Sequence, residues 1–228
     1  MSVKLISYSQ VNPGAFSDDE FTDYPRSAQD LVAFCARVSN PSNQFNLQTT
    51  EKLLTYLIKH KHWSPFEMVS ACLEITTTRD IARQMLRHRS FSFQEFSQRY
   101  ADPVKELNFV LREARYQDKS NRQNSIETGD TDLQRKWREK QQEVINCAKN
   151  AYVWAIENDI AKEQARVVLP EGNTISKLYV NGTLRSWIHY IELRSDKGTQ
   201  KEHREIAIAC ANIINNVFPT IKKIKEAK

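Results

Sequence analysis

The sequence predicts a mixed α+β fold, a helix-rich single domain over residues 1–228. Apolar residues recur at helical spacing through most of the chain, and three shorter stretches between them show the period-two alternation of strands. The two patterns keep exchanging from end to end without an internal repeat, and a chain of this length suits one large core.

"VKLISYSQV" alternates apolar and polar residues and reads as the first strand. After Pro25, "SAQDLVAFCARVS" carries Leu31, Phe34, Cys35 and Val38 at helical spacing. Beyond the loop "NPSNQFN", the helical pattern returns in "QTTEKLLTYLIKHK" with Leu53, Leu54, Leu57 and Ile58, and "FEMVSACLEITTT" has the alternation of a half-buried strand. Thr78 is placed to cap "RDIARQMLRHR", whose Ile81, Ala82, Met85 and Leu86 define an inward face. Residues from about 112 to 130, "REARYQDKSNRQNSIETGD", nearly lack large aliphatics and read as a polar surface excursion with no assigned structure. A long helix follows from about 132 to 157, with Trp137, Val144, Ala148, Tyr152, Ala155 and Ile156 inward. A shorter one through "AKEQARVVL" stops at Pro170, "TISKLYV" is a strand, and "TLRSWIHYIELR" and "KEHREIAIACANIINNVF" are amphipathic helices.

Composition removes several function classes. Lysine and arginine total 33 against 28 acidic residues, so the net charge of +5 permits anionic partners without demanding a polynucleotide. No apolar run approaches the roughly 20 residues of a membrane helix, and "MSVKLISYSQ" lacks the apolar stretch and cleavage site of a signal peptide; a soluble, cytoplasmic protein is expected. Cys35, Cys72, Cys147 and Cys210 lie far apart in apolar settings and are expected to be reduced packing thiols, not zinc ligands. With only five glycines, the chain has neither a dinucleotide-binding glycine loop nor a P-loop, so any phosphate must be held largely by side chains.

The candidate site centres on "RHRSFSFQEFSQRY", residues 87 to 100. Gln84 and Arg87 are three apart on the helix read here and project together, followed by hydroxyls, an amide, a carboxylate and Arg99. The alternating phenylalanines anchor one face of an extended segment and leave polar neighbours for a ligand. Arginine forks grip phosphate, serines add neutral hydrogen bonds, and an amide or carboxylate reads a base or sugar edge, which suits a nucleotide. A plainer alternative is that "RHR" simply favours a helix C-terminus. Farther along, Arg185, His189 and Leu193 share one helical stripe facing a partner or solvent, with Arg194 next. Arg166 precedes an apolar run, as a partly buried arginine needing an anion or a core salt bridge would. His60 and His62 lack further metal-ligand company and are read as surface residues; no metal is expected.

The stretch "RHRSFSFQEFSQRY" resembles the R-H-R-x-x-S-x-x-E-x-S-x-R-Y signature of the flavin-dependent thymidylate synthases. The resemblance extends, in order, over "RVSNP", "HKHWSPFE", "EQARVVLP" and "LRSWIHYIELRSD". It implies a fold with a central antiparallel-type sheet and the reductive methylation of dUMP to dTMP. The carbon comes from 5,10-methylenetetrahydrofolate and the hydride from FAD reduced by NADPH, with no cysteine nucleophile. Carried over position by position, it implies that Gln84, Arg87, Glu95, Phe96, Ser97, Gln98, Arg99, Arg166 and Arg194 hold dUMP, with Arg99 and Arg166 on the phosphate. Arg194 is implied as the catalytic residue at the uracil edge, where a fixed cation stabilises the ring as N3 ionises. For FAD the implied set is Ser39, Ser64, Glu67, Arg87, His88, Arg89, Ser90, Thr183, Arg185 and His189, with His62 on the flavin and folate side. The implied assembly is a homotetramer with sites at subunit interfaces, with no polynucleotide or membrane partner.

Three positions depart from the family pattern. Thr183 stands where asparagine is frequent, with Asn181 two residues earlier, so either would contact FAD; Gly198 replaces a histidine; and Gln98 replaces a frequent glycine, which alters how closely the backbone approaches the nucleotide. A second functional reading is a non-catalytic single-strand nucleic-acid or nucleotide-binding protein, motivated by the positive charge and by Phe91, Phe93 and Phe96 among basic residues. Glu95 interrupts that basic stretch, and acidic residues are spread along the chain.

Overall fold

A computed structural model describes residues 1–16 and 24–220. Its centre is a four-stranded antiparallel sheet in the order β1-β2-β6-β3, formed by Ser2–Tyr8, Ser70–Thr78, Ile175–Thr183 and Ser92–Glu95 respectively. The expected mixed fold with helix in excess is the one observed. β2 buries every second residue, as its alternation demands, and pairs with β6 along its full length. β1 lies at the edge, leaving Leu5, Ile6 and Tyr8 exposed, and a register shift between Leu5 and Ser7 bends it.

Helices enclose the sheet. The first, α1 (Ala28–Ala36), starts at a capping box in which Ser27 accepts from the Asp30 backbone and Asp30 reaches back. It buries Ala28, Val32 and Ala33, not the stripe read from the sequence; Val38 lies beyond the helix end and is 68% exposed. Helix α2 (Thr50–Lys59) buries Leu54, Leu57 and Ile58. It ends with Lys61 at φ 60°, whose N–H reaches the Ile58 carbonyl while that of His62 reaches Leu57. These two bonds form the left-handed cap usually given to glycine. Helix α3 (Arg79–Met85) is shorter than predicted: Arg87 lies beyond it and Leu86 is exposed, so the shared helical face proposed for Gln84 and Arg87 does not exist. Thr78 precedes the helix, but its hydroxyl donates to the Asp80 carboxylate instead of capping a backbone N–H.

After a single turn, α4 (Pro103–Glu106), the polar excursion is structured. Arg115–Gln117 and Ser125–Glu127 pair as an antiparallel hairpin, β4-β5. It is anchored by ion pairs and backbone pairing in place of a core, which is why apolar periodicity gave no sign of it. Helix α5 (Thr131–Glu157) matches the long helix expected. Its buried line is Gln141, Ile145, Ala148, Tyr152 and Ala155, whereas Trp137 and Val144 are 44% and 53% exposed. Hydrophobicity alone misassigned these two because Gln141 occupies the inward position, satisfied by the Arg112 backbone at both ends of its amide. Helices α6 (Lys162–Ala165), α7 (Leu184–Arg194) and α8 (Lys201–Val217) complete the chain. Cys210 is buried, Cys35 and Cys72 are half-buried, and Cys147 is exposed, so the packing role expected of all four fails for Cys147. No described helix is long and apolar enough to cross a membrane.

One glycine matters for the site. A Cβ on Gly182 of β6 would lie 2.3 Å from the Phe91 ring, which is itself wedged edge-on against Trp187 at 4.6 Å. Gly182→Ala is therefore expected to cost about 1–3 kcal/mol through overpacking and to displace the turn before Phe91. Thermal unfolding checks this; an unchanged midpoint contradicts it.

Candidate active site

The segment after α3 turns through residues 86–91 and enters β3, the strand carrying the second half of the motif. Phe91 and Phe93 join the core, and Ser92 and Gln94 point outward, giving the anchored polar wall expected from the alternation. All but Ser39 of the predicted site residues fall into three groups.

The first lies where the 86–91 turn meets α7 and α8. Nε of Arg194 donates to Nε2 of His88 at 2.9 Å, joining two residues 106 positions apart. Burial, reinforced by the Arg194 charge, lowers the His88 pKa, so its imidazole is neutral at pH 7 and serves as the acceptor. Gln84 joins this group: its Oε1 is 3.1 Å from Nδ1 of His203, and its Nε2 donates to Gln200 at 2.9 Å. Nε2 of His203 is 3.1 Å from the Tyr190 hydroxyl. His203, fully buried, was missed by sequence reasoning. The available signal was a histidine on the apolar face shared by Ile206, Ala207 and Cys210.

The second group gathers residues assigned to phosphate. Arg99 pairs with the Glu163 carboxylate at 3.1 Å, and Nε of Arg166 donates to the Glu163 carbonyl at 3.3 Å. Both arginines thus converge on one turn of α6, and Arg166 has no carboxylate partner among the described residues. Ser97 accepts from the Arg99 backbone, and Gln98 is buried with its amide nitrogen unpaired. The Phe96 N–H donates to Lys177. Glu95 is already engaged, accepting from Ser176 at 2.7 Å with Arg79 at 3.5 Å.

The third group surrounds the N-terminus of α7. Arg185 pairs with Glu67, and His189, one turn on, meets Trp63 edge-on at 4.5 Å, beside His62 and Ser64. Thr183 caps the helix by accepting from the Ser186 N–H at 3.3 Å, and the Ser186 hydroxyl donates to the Ser90 carbonyl at 3.1 Å. Asn181 lies exposed on β6 opposite Cys72 and Ser92. Arg87 and Arg89 are exposed without an acidic partner among the described residues. Ser39 stands apart from all three groups, lining a cavity of about 440 Å³ with Arg37, Asn40 and Lys52. His60 and His62 are surface residues, with rings 6.2 Å apart. Among the described residues no three His, Cys, Asp or Glu side chains gather as a metal site would need.

The first group gives the protein a pH signature. Burial, with the nearby Arg194 and His88, lowers the His203 pKa to about 3. The unfolded chain binds this proton below about pH 6.5, whereas the folded chain resists it until about pH 3. Stability is therefore lost as pH falls through that window, and His88 contributes in the same direction. Between pH 7 and 5, wild type is expected to lose up to about 2 kcal/mol more than His203→Asn. Equal slopes in denaturant unfolding would contradict the burial argument.

An antiparallel sheet flanked by helices, with arginines gathered on side-chain contacts instead of a glycine-rich loop, defines an α+β domain whose cationic groups suit an anionic ligand. Residues 20–220 match the family model described as thymidylate synthase complementing protein. The chain is 46% identical to a probable flavin-dependent thymidylate synthase of Paramecium bursaria Chlorella virus 1, covering 98% of both chains. It is 48% identical to the flavin-dependent thymidylate synthase of Synechocystis sp., covering 97% of both. A crystal structure of the UMP/dUMP methylase PolB from Streptomyces cacaoi, bound with 5-Br dUMP, superposes with a TM-score of 0.80 at 24% identity, over 99% of this chain and 94% of that one; the likeness is one of fold. The chain belongs to the flavin-dependent thymidylate synthase family.

Proposed function

We propose that this protein methylates dUMP reductively to dTMP, taking the carbon from 5,10-methylenetetrahydrofolate and drawing electrons from NADPH through FAD. The observation that carries the reading is Arg194 held by His88, because it fixes a cation where the Arg-His-Arg turn meets the end of α7. His88 uses only Nε of the guanidinium, leaving its two terminal nitrogens for a ligand. Beside the uracil edge they stabilise negative charge as N3 ionises and make C5 more nucleophilic. No thiol is needed: burial raises the pKa of Cys35, Cys72 and Cys210, and no cysteine side chain takes part in the hydrogen bonds and ion pairs described for the three groups.

Arg99 and Arg166 grip the nucleotide phosphate, which takes over the anionic partner that Glu163 supplies to Arg99. Arg87, Glu95, Phe96, Ser97, Gln98 and Gln84 complete the nucleotide set, and the unpaired Gln98 amide is a donor in want of an acceptor. The donor set also fits FAD. Arg87 and Arg89 have no acidic partner among the described residues and suit a pyrophosphate, and Ser64, Glu67, Ser90, Arg185 and His189 supply neutral and charged contacts around the start of α7. His88 joins that set, with Ser39 and either Thr183 or Asn181 as further contacts. His62 faces the flavin and folate side. When bound, the flavin supplies the reducing equivalents for the transferred carbon. A homotetramer with sites at subunit interfaces brings the three groups and Ser39 around one ligand set.

The test is dUMP-dependent oxidation of the NADPH-reduced flavoprotein with methylenetetrahydrofolate, followed by identification of dTMP. Colourless protein that takes up no FAD, or flavoprotein that forms no dTMP, overturns the proposal.

A further inference from the structure

We propose that Tyr190, His203, Gln200 and Glu202 form a one-way hydrogen-bond chain that fixes the amide of Gln84, which makes His203 and Gln200 positioning residues for the nucleotide. This rests on the proposed reading of Gln84 as a dUMP-facing residue. The direction of the chain follows from its acidic end. Burial raises the Glu202 pKa, but the hydrogen bond and charge of Arg115, the backbone N–H of Glu202 itself and the bond from Gln200 together more than offset this and leave it lowered. Glu202 is thus a carboxylate and only accepts. One oxygen takes Arg115 at 2.5 Å, and the other takes Nε2 of Gln200 at 3.0 Å.

Each following orientation is then forced. With its nitrogen turned to Glu202, Gln200 offers Oε1 to Gln84, which must answer with Nε2, 2.9 Å away. Gln84 therefore shows Oε1 to His203 at 3.1 Å, which requires a proton on Nδ1. Nε2 of His203 is left as an acceptor, and the Tyr190 hydroxyl, 3.1 Å away, donates to it. The histidine is fully buried and its pKa is lowered to about 3, so the neutral tautomer the chain needs is the form present. Flipping the Gln84 amide would set two carbonyl oxygens against each other at Gln200 and two N–H groups at His203, unless every partner turned as well. After these bonds, Gln84 keeps one N–H and one lone pair, in a fixed order, for the nucleotide.

The experiment measures dUMP KM, kcat, FAD content and thermal midpoint of the holoenzyme for wild type, His203→Leu, His203→Asn and Gln200→Ala. His203→Leu is expected to raise dUMP KM about five- to tenfold with kcat per bound flavin within about twofold. Asparagine keeps an N–H near the Nδ1 position, so His203→Asn should recover most of the loss. A merely structural histidine would reduce the folded fraction without changing KM. Gln200 lies half-exposed at the start of α8 and makes no side-chain cap, so its removal spares the core even if the His203 variants do not fold. Gln200→Ala should show the same KM rise. Wild-type KM in Gln200→Ala, with wild-type enzyme making dTMP, overturns this inference alone. Wild-type enzyme that neither binds dUMP nor makes dTMP overturns the proposed function and takes this inference with it.

Discussion

Arg194→Ala is expected to lower dTMP formation about 10²–10³-fold, with FAD content and thermal midpoint close to wild type. The magnitude is that of removing one preorganised charge from a site that develops negative charge. Arg194 ends α7, is only half-buried, and among the described residues its side chain makes one hydrogen bond, to His88, so its loss spares the core packing. Without it, the His88 acceptor is left to water. Lysine can restore the charge but not the fork, and Arg194→Lys should recover only part of the rate. Turnover of Arg194→Ala within about threefold of wild type, measured as dTMP formed per flavin, would remove Arg194 from the chemistry.

Trp187→Ala is expected to abolish soluble protein at 37 °C. The indole is fully buried under the sheet, its Nε1 donates to the Ala71 carbonyl at 3.0 Å, and its ring supports Phe91 and Tyr190. The cavity costs about 3–5 kcal/mol, and the stranded carbonyl adds about 1–3. The sum is comparable to the whole stability of a typical domain, about 5–15 kcal/mol. Trp187→Phe keeps much of the volume and should fold with a lower midpoint. Soluble yield and thermal unfolding check both variants, and a wild-type midpoint for the alanine variant would contradict the packing argument. Because Trp187 holds Phe91, the same contact links core stability to the 86–91 turn of the site.

Much of the architecture could be read from periodicity because burial enforces it. Residues 70–78 alternate since only one side of β2 meets the core, and 184–194 form a helix whose Trp187, Ile188 and Ile191 all turn inward as their spacing requires. The reading failed where polar groups replace apolar ones. Gln141 took an inward place because the backbone of Arg112 satisfies it, leaving Trp137 and Val144 outside. The hairpin from 115 to 127 is tied by Arg115 to Glu202 and by Lys201 to Glu113 and Glu127, contacts between residues far apart in sequence. Lys61 adopts a left-handed conformation that its side chain does not favour, because the closing bonds of α2 are formed there.

By itself the sequence determined the order of the longer helices and of β1, β2 and β6, the family, and the residue types offered to a nucleotide, but not the β4-β5 hairpin, since spacing and side-chain chemistry are local properties. Only the tertiary structure decided that Arg194 meets His88, that Arg99 reaches Glu163 beside Arg166, and that His203 holds Gln84. The physical reason is reach: a hydrogen bond acts over about 3 Å, and nothing in a local pattern states which distant side chains folding will bring that close.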